Sequence, residues 1–235
     1  MIKKLIPTIL ITTVLVACTS KQESSSSTEK IESEEFKYVT EQFADLKIIR
    51  YKIPGFEKLS LNQKKLVYFL TQAGLSGRDI IYDQNYRHNL TIRTALENII
   101  KNYSGDKSST DWENLMIYTK RIWFSNGIHH HYGNQKFTPE FNQEYFLQIL
   151  KETNTDLNEE LVNVIFDPSI DYKKVNLDVT KGLLLGSATN FYDPDITEAE
   201  VDKYYKSIMD SKNAQPISYG LNSKIVRITN GDIKE

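Results

Sequence analysis

The 235-residue chain has one cysteine, Cys18, which excludes an intramolecular disulfide. Proline and glycine are scarce, 6 and 10 residues, as in a chain that leans to helix rather than to turns. Neither sign of charge is in excess: 29 Lys and Arg stand against 31 Asp and Glu. That balance gives no electrostatic footprint for nucleic acid, so no nucleic-acid partner is expected. No repeat of fixed period is present. What is there is material for a core, 40% hydrophobic residues with 14 Tyr and 10 Phe, in a length that holds one large domain or two small ones.

The N-terminus is a separate matter. Met1-Ile2-Lys3-Lys4 is a basic head, and Leu5 to Ala17 is an apolar run shorter than the ~20 residues of a spanning helix. The run ends in Leu15-Val16-Ala17-Cys18, which resembles the lipobox of bacterial lipoproteins. The plainer alternative is an ordinary signal peptide with an incidental cysteine. The position of Cys18 favours lipidation, hence a lipid-anchored protein of the bacterial cell envelope. Residues 1–17 then read as a lipoprotein signal peptide. Residues 18–35 read as the lipidated cysteine and a serine-rich tether too polar to fold. The globular part is expected over 36–235.

Within that part, Phe43 to Phe56 reads as an extended segment closed by a Pro54-Gly55 turn. Four pairs carry the spacing of a helix-start capping box: Ser60 and Gln63, Thr110 and Glu113, Asp156 and Glu159, Thr197 and Glu200. With apolar periodicity they predict helices over 61–75, 90–103, 111–124, 139–151, 157–166 and 198–209. In the third, Trp112, Leu115, Met116, Ile122 and Trp123 share a broad face. The tail reads as a strand and an Asn230-Gly231 hairpin turn whose return strand stops short. The fold class expected is α+β, mainly helical with a minor sheet.

Three of the four histidines are consecutive: His129, His130 and His131. A helical zinc-protease motif needs two histidines one turn apart with a glutamate between them, and the chain has none. Consecutive histidines diverge by about 100° on a helix, and on a strand only His129 and His131 share a face. A metal site here would need a distant ligand such as His88. The stretch sits between a helix stop at Asn126-Gly127 and a predicted start at Thr138-Pro139-Glu140. It is therefore a polar loop held by two helices, placed to bind something, or a loop whose side chains only satisfy one another. Arg78, Asp79 and Asp83 read as a structural ion pair or a polar rim. Asn190 and Tyr192 read as neighbours of a cleft, against the plainer reading that their stretch serves helix capping by Thr197 and core packing by Phe191.

Five stretches, "LKIIRYKIPGF", "LVYFLTQAGLSGRDIIYDQN", "RIWFSNGIHHHYGNQKFTPEF", "IFDPSID" and "SYGLNSK", together resemble the N-terminal part of dipeptidyl peptidase III-like zinc metallopeptidases of the bacterial branch. The resemblance runs over residues 43–235 and is most specific at "SNGIHHHYGNQKF". It implies part of the non-catalytic, substrate-binding lobe of a two-lobe hydrolase that removes dipeptides from short peptides with a free N-terminus. It also implies that the zinc of the full-length enzyme is held by HExxGH and EExxAE-like motifs, neither of which occurs in these residues. The chain is accordingly expected to be an N-terminal fragment, incomplete at its C-terminus, inactive by itself and binding no zinc.

By the same resemblance the loop lines a substrate subsite. Tyr132 packs against the peptide, Gly133 allows close backbone approach, His131 forms a polar wall, and Asn126 fixes the loop. Two rival readings are a surface-tethered peptide-binding lipoprotein without catalysis and a histidine-bearing metal-acquisition lipoprotein.

Overall fold

The computed structural model describes residues 36–210, 212 and 223–235. The signal segment, Cys18 with its tether, and residues 218–222 of "SYGLNSK" lie outside the described residues. The first elements are a hairpin, β1 (Val39–Phe43) and β2 (Leu46–Ile49), paired antiparallel through a bulge between Val39 and Glu41. A short 3-10 turn over Phe56–Lys58 leads into α1 (Leu61–Ser76). The extended segment is thus shorter than the predicted Phe43–Phe56 and begins earlier, because its partner strand precedes it.

Six more helices follow: α2 (Arg78–Asn85), α3 (Asn89–Asn102), α4 (Thr110–Ser125), α5 (Gln143–Glu152), α6 (Glu159–Phe166) and α7 (Glu198–Ile208). The described part ends on β3 (Val226–Arg227) and β4 (Ile233–Lys234), paired antiparallel around the Asn230-Gly231 turn. The return strand is short, two residues long. The described part is mainly helical α+β with two small two-stranded sheets.

Two of the four capping boxes form as predicted, at Ser60 with Gln63 and at Thr197 with Glu200. The other two are displaced. Ser109, not Thr110, caps α4, and Asn158, not Asp156, caps α6. The helix expected from Pro139 begins four residues later, because the Asn142 side chain accepts from the N–H groups of Glu144 and Tyr145.

The core lies among α2 to α6. Tyr82, Tyr86, Ile92, Leu96, Ile99, Leu115, Ile122, Phe146, Ile149 and Ile165 are all but sealed from solvent. Each large side chain buried this way contributes about 1.5–3 kcal/mol relative to exposure. A second, smaller cluster gathers Ile196, Val201 and Ile225 with Tyr192 and Ile233 around α7 and the terminal hairpin. By contrast, α1 buries none of its residues. No helix among the described residues is long and apolar enough to cross a membrane.

Glycine scarcity leaves a mark on the backbone. Left-handed positions are filled at Ala44, Asn126, Asn134, Asn154 and Asp171 as well as at glycine. Asn and Asp tolerate that region best among residues with a side chain.

Candidate functional site: the histidine loop

The α4 helix stops where the sequence predicts. Asn126 takes φ 53 and ψ 47, and Gly127 follows at φ 145. A side chain at Gly127 would meet the Asn89 amide at 2.1 Å, so both conformation and space demand glycine. Asn89 is completely buried. Its amide donates to the Tyr82 carbonyl at 3.0 Å and accepts the Ile128 N–H at 3.0 Å. The Asn126 carbonyl takes a further bond from Asn85 at 3.0 Å. Asn126 therefore fixes the loop with its backbone, while its side-chain oxygen is buried without a partner.

Beyond this stop the chain folds back on itself. The Phe137 N–H reaches the Ile128 carbonyl at 2.9 Å, and the His130 N–H reaches the Gln135 carbonyl at 2.8 Å. A third segment lies alongside, with Lys136 N–H donating to Tyr172 O and Lys174 N–H to Asn134 O, each at 2.8 Å. The loop is thus pinned on both flanks.

The three histidines do three different things. His129 is buried, only 2% exposed, and its Nε2–H donates to the Asp171 carbonyl at 2.7 Å. Its Nδ1 is buried without a partner, and burial pushes its pKa down to about 4. His130 turns its Nδ1 back on the loop, accepting the N–H groups of Gly133 at 2.9 Å and Tyr132 at 3.2 Å. Those bonds require a bare Nδ1, so the proton of the neutral ring is on Nε2. His131 stacks on His130 with ring centroids 4.5 Å apart and meets Phe124 edge-on. Partial burial lowers its pKa, and His130 and Lys174 push the same way.

Tyr132 stands at the apex, 84% exposed, with its ring 4.4 Å from that of His131. Gly133 uses its N–H on His130. A side chain there would strike only the movable amide of Gln135. Asn126, His131, Tyr132 and Gly133 are therefore parts of one structure, a braced loop presenting an aromatic tip.

Beneath the loop lies a polar network that sequence reading did not find. The Asp171 carboxylate accepts Tyr86 Oη at 2.6 Å and Arg87 Nη2 at 3.1 Å, while its carbonyl holds His129. Tyr86 is wholly buried, and burial together with Asp171 raises its pKa strongly. Lys136, almost fully buried, donates to three carbonyls, Val164 at 2.7 Å, Asp167 at 2.6 Å and Ile170 at 2.6 Å. Its ammonium thereby closes the C-terminal end of α6, where free carbonyls and the helix dipole favour a cation. The signal for this network was in plain view as "IFDPSID", but only the fold shows what it touches.

The other candidates make contacts within the fold. Asp79 pairs with Arg93 at 2.8 Å and not with Arg78, and Asp83 accepts from Asn190 at 3.3 Å. Arg78, Asp79 and Asp83 belong to α2, a helix absent from the predicted set. Tyr192 bridges to Ile225 in the second cluster.

Chemically the loop can position a ligand. Among the described residues no three His, Cys, Asp or Glu side chains are gathered as a metal site. Neither a family model nor a curated protein matches the chain. The family resemblance rests on the quoted stretches.

Proposed function

We propose that the chain is the N-terminal, substrate-binding portion of a zinc-dependent dipeptidyl peptidase, a hydrolase acting on short peptides with a free N-terminus. In this reading the loop from Asn126 to Gly133 forms part of the wall that receives the peptide. The supporting observation is the contrast within the loop: its base is sealed by buried polar bonds, while Tyr132 projects into solvent. A rigid base with an exposed ring suits binding, because little conformational freedom is lost on contact.

Each of His129 and His130 keeps one ring nitrogen outside these hydrogen bonds, and among the described residues no three His, Cys, Asp or Glu side chains are gathered as a metal site. The rival readings are a non-catalytic peptide-binding lipoprotein and a histidine-bearing metal-acquisition lipoprotein. By resemblance the zinc ligands belong to motifs these residues do not contain.

The test is affinity for an uncleaved tetrapeptide, compared with its N-acetylated form. Tyr132→Ala should weaken binding roughly tenfold, the equivalent of about 1–2 kcal/mol of aromatic packing. Unchanged affinity makes the loop structural only. Indifference to acetylation removes the dipeptidyl-peptidase reading and leaves general peptide capture. A lipid anchor on Cys18 belongs to the same proposal. Intact mass of the native N-terminus checks it, and an unmodified thiol there would sink it.

A further inference from the structure

The segment from Leu46 to Arg78 is unlike the rest of the molecule in charge and exposure. It carries seven basic residues, Lys47, Arg50, Lys52, Lys58, Lys64, Lys65 and Arg78, against the single acid Glu57, in a chain whose net charge is −2. Its large apolar side chains stand in solvent. Tyr51, Ile53, Leu66, Tyr68, Phe69 and Leu70 are each more than half exposed. In α1, at 100° per residue, Leu66, Val67, Phe69, Leu70, Ala73 and Gly74 fall on one side, which is polar only in its first turn, at Asn62 and Gln63. Lys64, Lys65, Thr71, Gln72 and Ser76 fall on the other, with Leu61, Tyr68 and Leu75 among them. The helix itself contains no acid.

We propose that this segment is a docking surface for an anionic phospholipid bilayer, with α1 lying in the headgroup region. Charge decides between occupants. A second copy would bring seven cations against seven, which is repulsive, whereas an anionic leaflet attracts each of them. Phe69, Leu66 and Leu70 enter the acyl boundary to a depth suited to an interfacial helix. The lysine stems lie along the apolar surface with their heads in water. The inference does not need the peptidase reading or the lipid anchor, although an anchored N-terminus would keep the surface close to the membrane.

The test uses the full chain with an environment-sensitive fluorescent residue in place of Phe69, and in a control in place of exposed Glu113. Vesicles of phosphatidylglycerol mixed with phosphatidylethanolamine are compared with phosphatidylcholine alone. Any hydrophobic N-terminus tethers the chain to both, so only immersion of position 69 distinguishes them. Emission at 69 should shift to the blue on the anionic vesicles, and emission at 113 should not shift. Lys58→Glu, Lys64→Glu and Lys65→Glu together should weaken that response roughly a hundredfold or more, at ~1 kcal/mol for each cation removed and tenfold per 1.4 kcal/mol. Equal emission on both vesicle types overturns the proposal. So does blue-shifted emission before any lipid is added, which would mean that protein already covers α1. A dependence of that emission on protein concentration would then identify a second copy as the cover.

Discussion

Helices α1 and α4 have the same length, sixteen residues, and each begins on a serine whose side chain accepts a backbone N–H. Their environments are opposite. α4 buries Trp112, Leu115, Tyr118, Thr119, Ile122 and Ser125, while α1 buries nothing. The difference lies in what covers them. In α4 the buried positions recur at threes, with Thr119 beside Tyr118, and make one stripe against the core. In α1 four of the five consecutive apolar residues Leu66 to Leu70 fall on one side and Tyr68 on the other, and neither side is buried. Caps and propensity can set a helix, but burial also needs a neighbouring element against its apolar side.

The largest test of that contrast is Leu115→Ala. Leu115 is fully buried, so truncation leaves a cavity among packed side chains and should cost about 2–5 kcal/mol. Chemical denaturation measures it. A loss below about 1 kcal/mol would mean that the α4 stripe is not the centre of the core.

A slightly smaller effect comes from pH. The folded pKa of His129 is lowered to about 4 from 6.5, mainly by burial. Between these values the unfolded chain binds more protons than the folded one, so stability rises with pH through the window and falls as pH drops from 6.5 toward 4. The shift corresponds to a loss on the order of 3 kcal/mol by pH 4. His129→Gln, which keeps a donor for the Asp171 carbonyl, should flatten that part of the stability profile. Equal slopes for the two proteins between pH 4 and 6.5 would remove His129 from the account.

The sequence made local features legible and non-local ones not. Ser60 with Gln63, Thr197 with Glu200, and the Asn126-Gly127 stop involve partners within a few residues. Where two capping residues compete, the choice slipped. Ser109 beats Thr110, and Asn158 beats Asp156, because the winner is set by where the preceding loop turns. The short helix α2 was missed because it follows α1 after Gly77 alone and is largely polar. The loop could be located between its helices, but not the separate tasks of its histidines. Those depend on Asp171, 42 residues beyond His129, and on Lys136 meeting the end of α6. Positions so far apart in sequence leave no periodic trace.

The smallest expected effect is the most discriminating for the comparison. Leu66→Ala makes the same chemical change in α1 that Leu115→Ala makes in α4. Leu66 is 59% exposed, so its truncation opens no cavity and returns little apolar surface to water. Alanine is also the better helix former by a few tenths of a kcal/mol, which offsets part of what is lost. In lipid-free buffer the two terms should leave stability within about 0.5 kcal/mol of the parent. The midpoint and slope of a denaturant titration measure it beside the Leu115 variant. A cost above about 2 kcal/mol would show Leu66 packed against protein, and the apolar face of α1 could not then be offered to a bilayer. A near-zero cost without lipid, together with weaker binding of the variant to anionic vesicles, would assign the side chain to the membrane rather than to the fold.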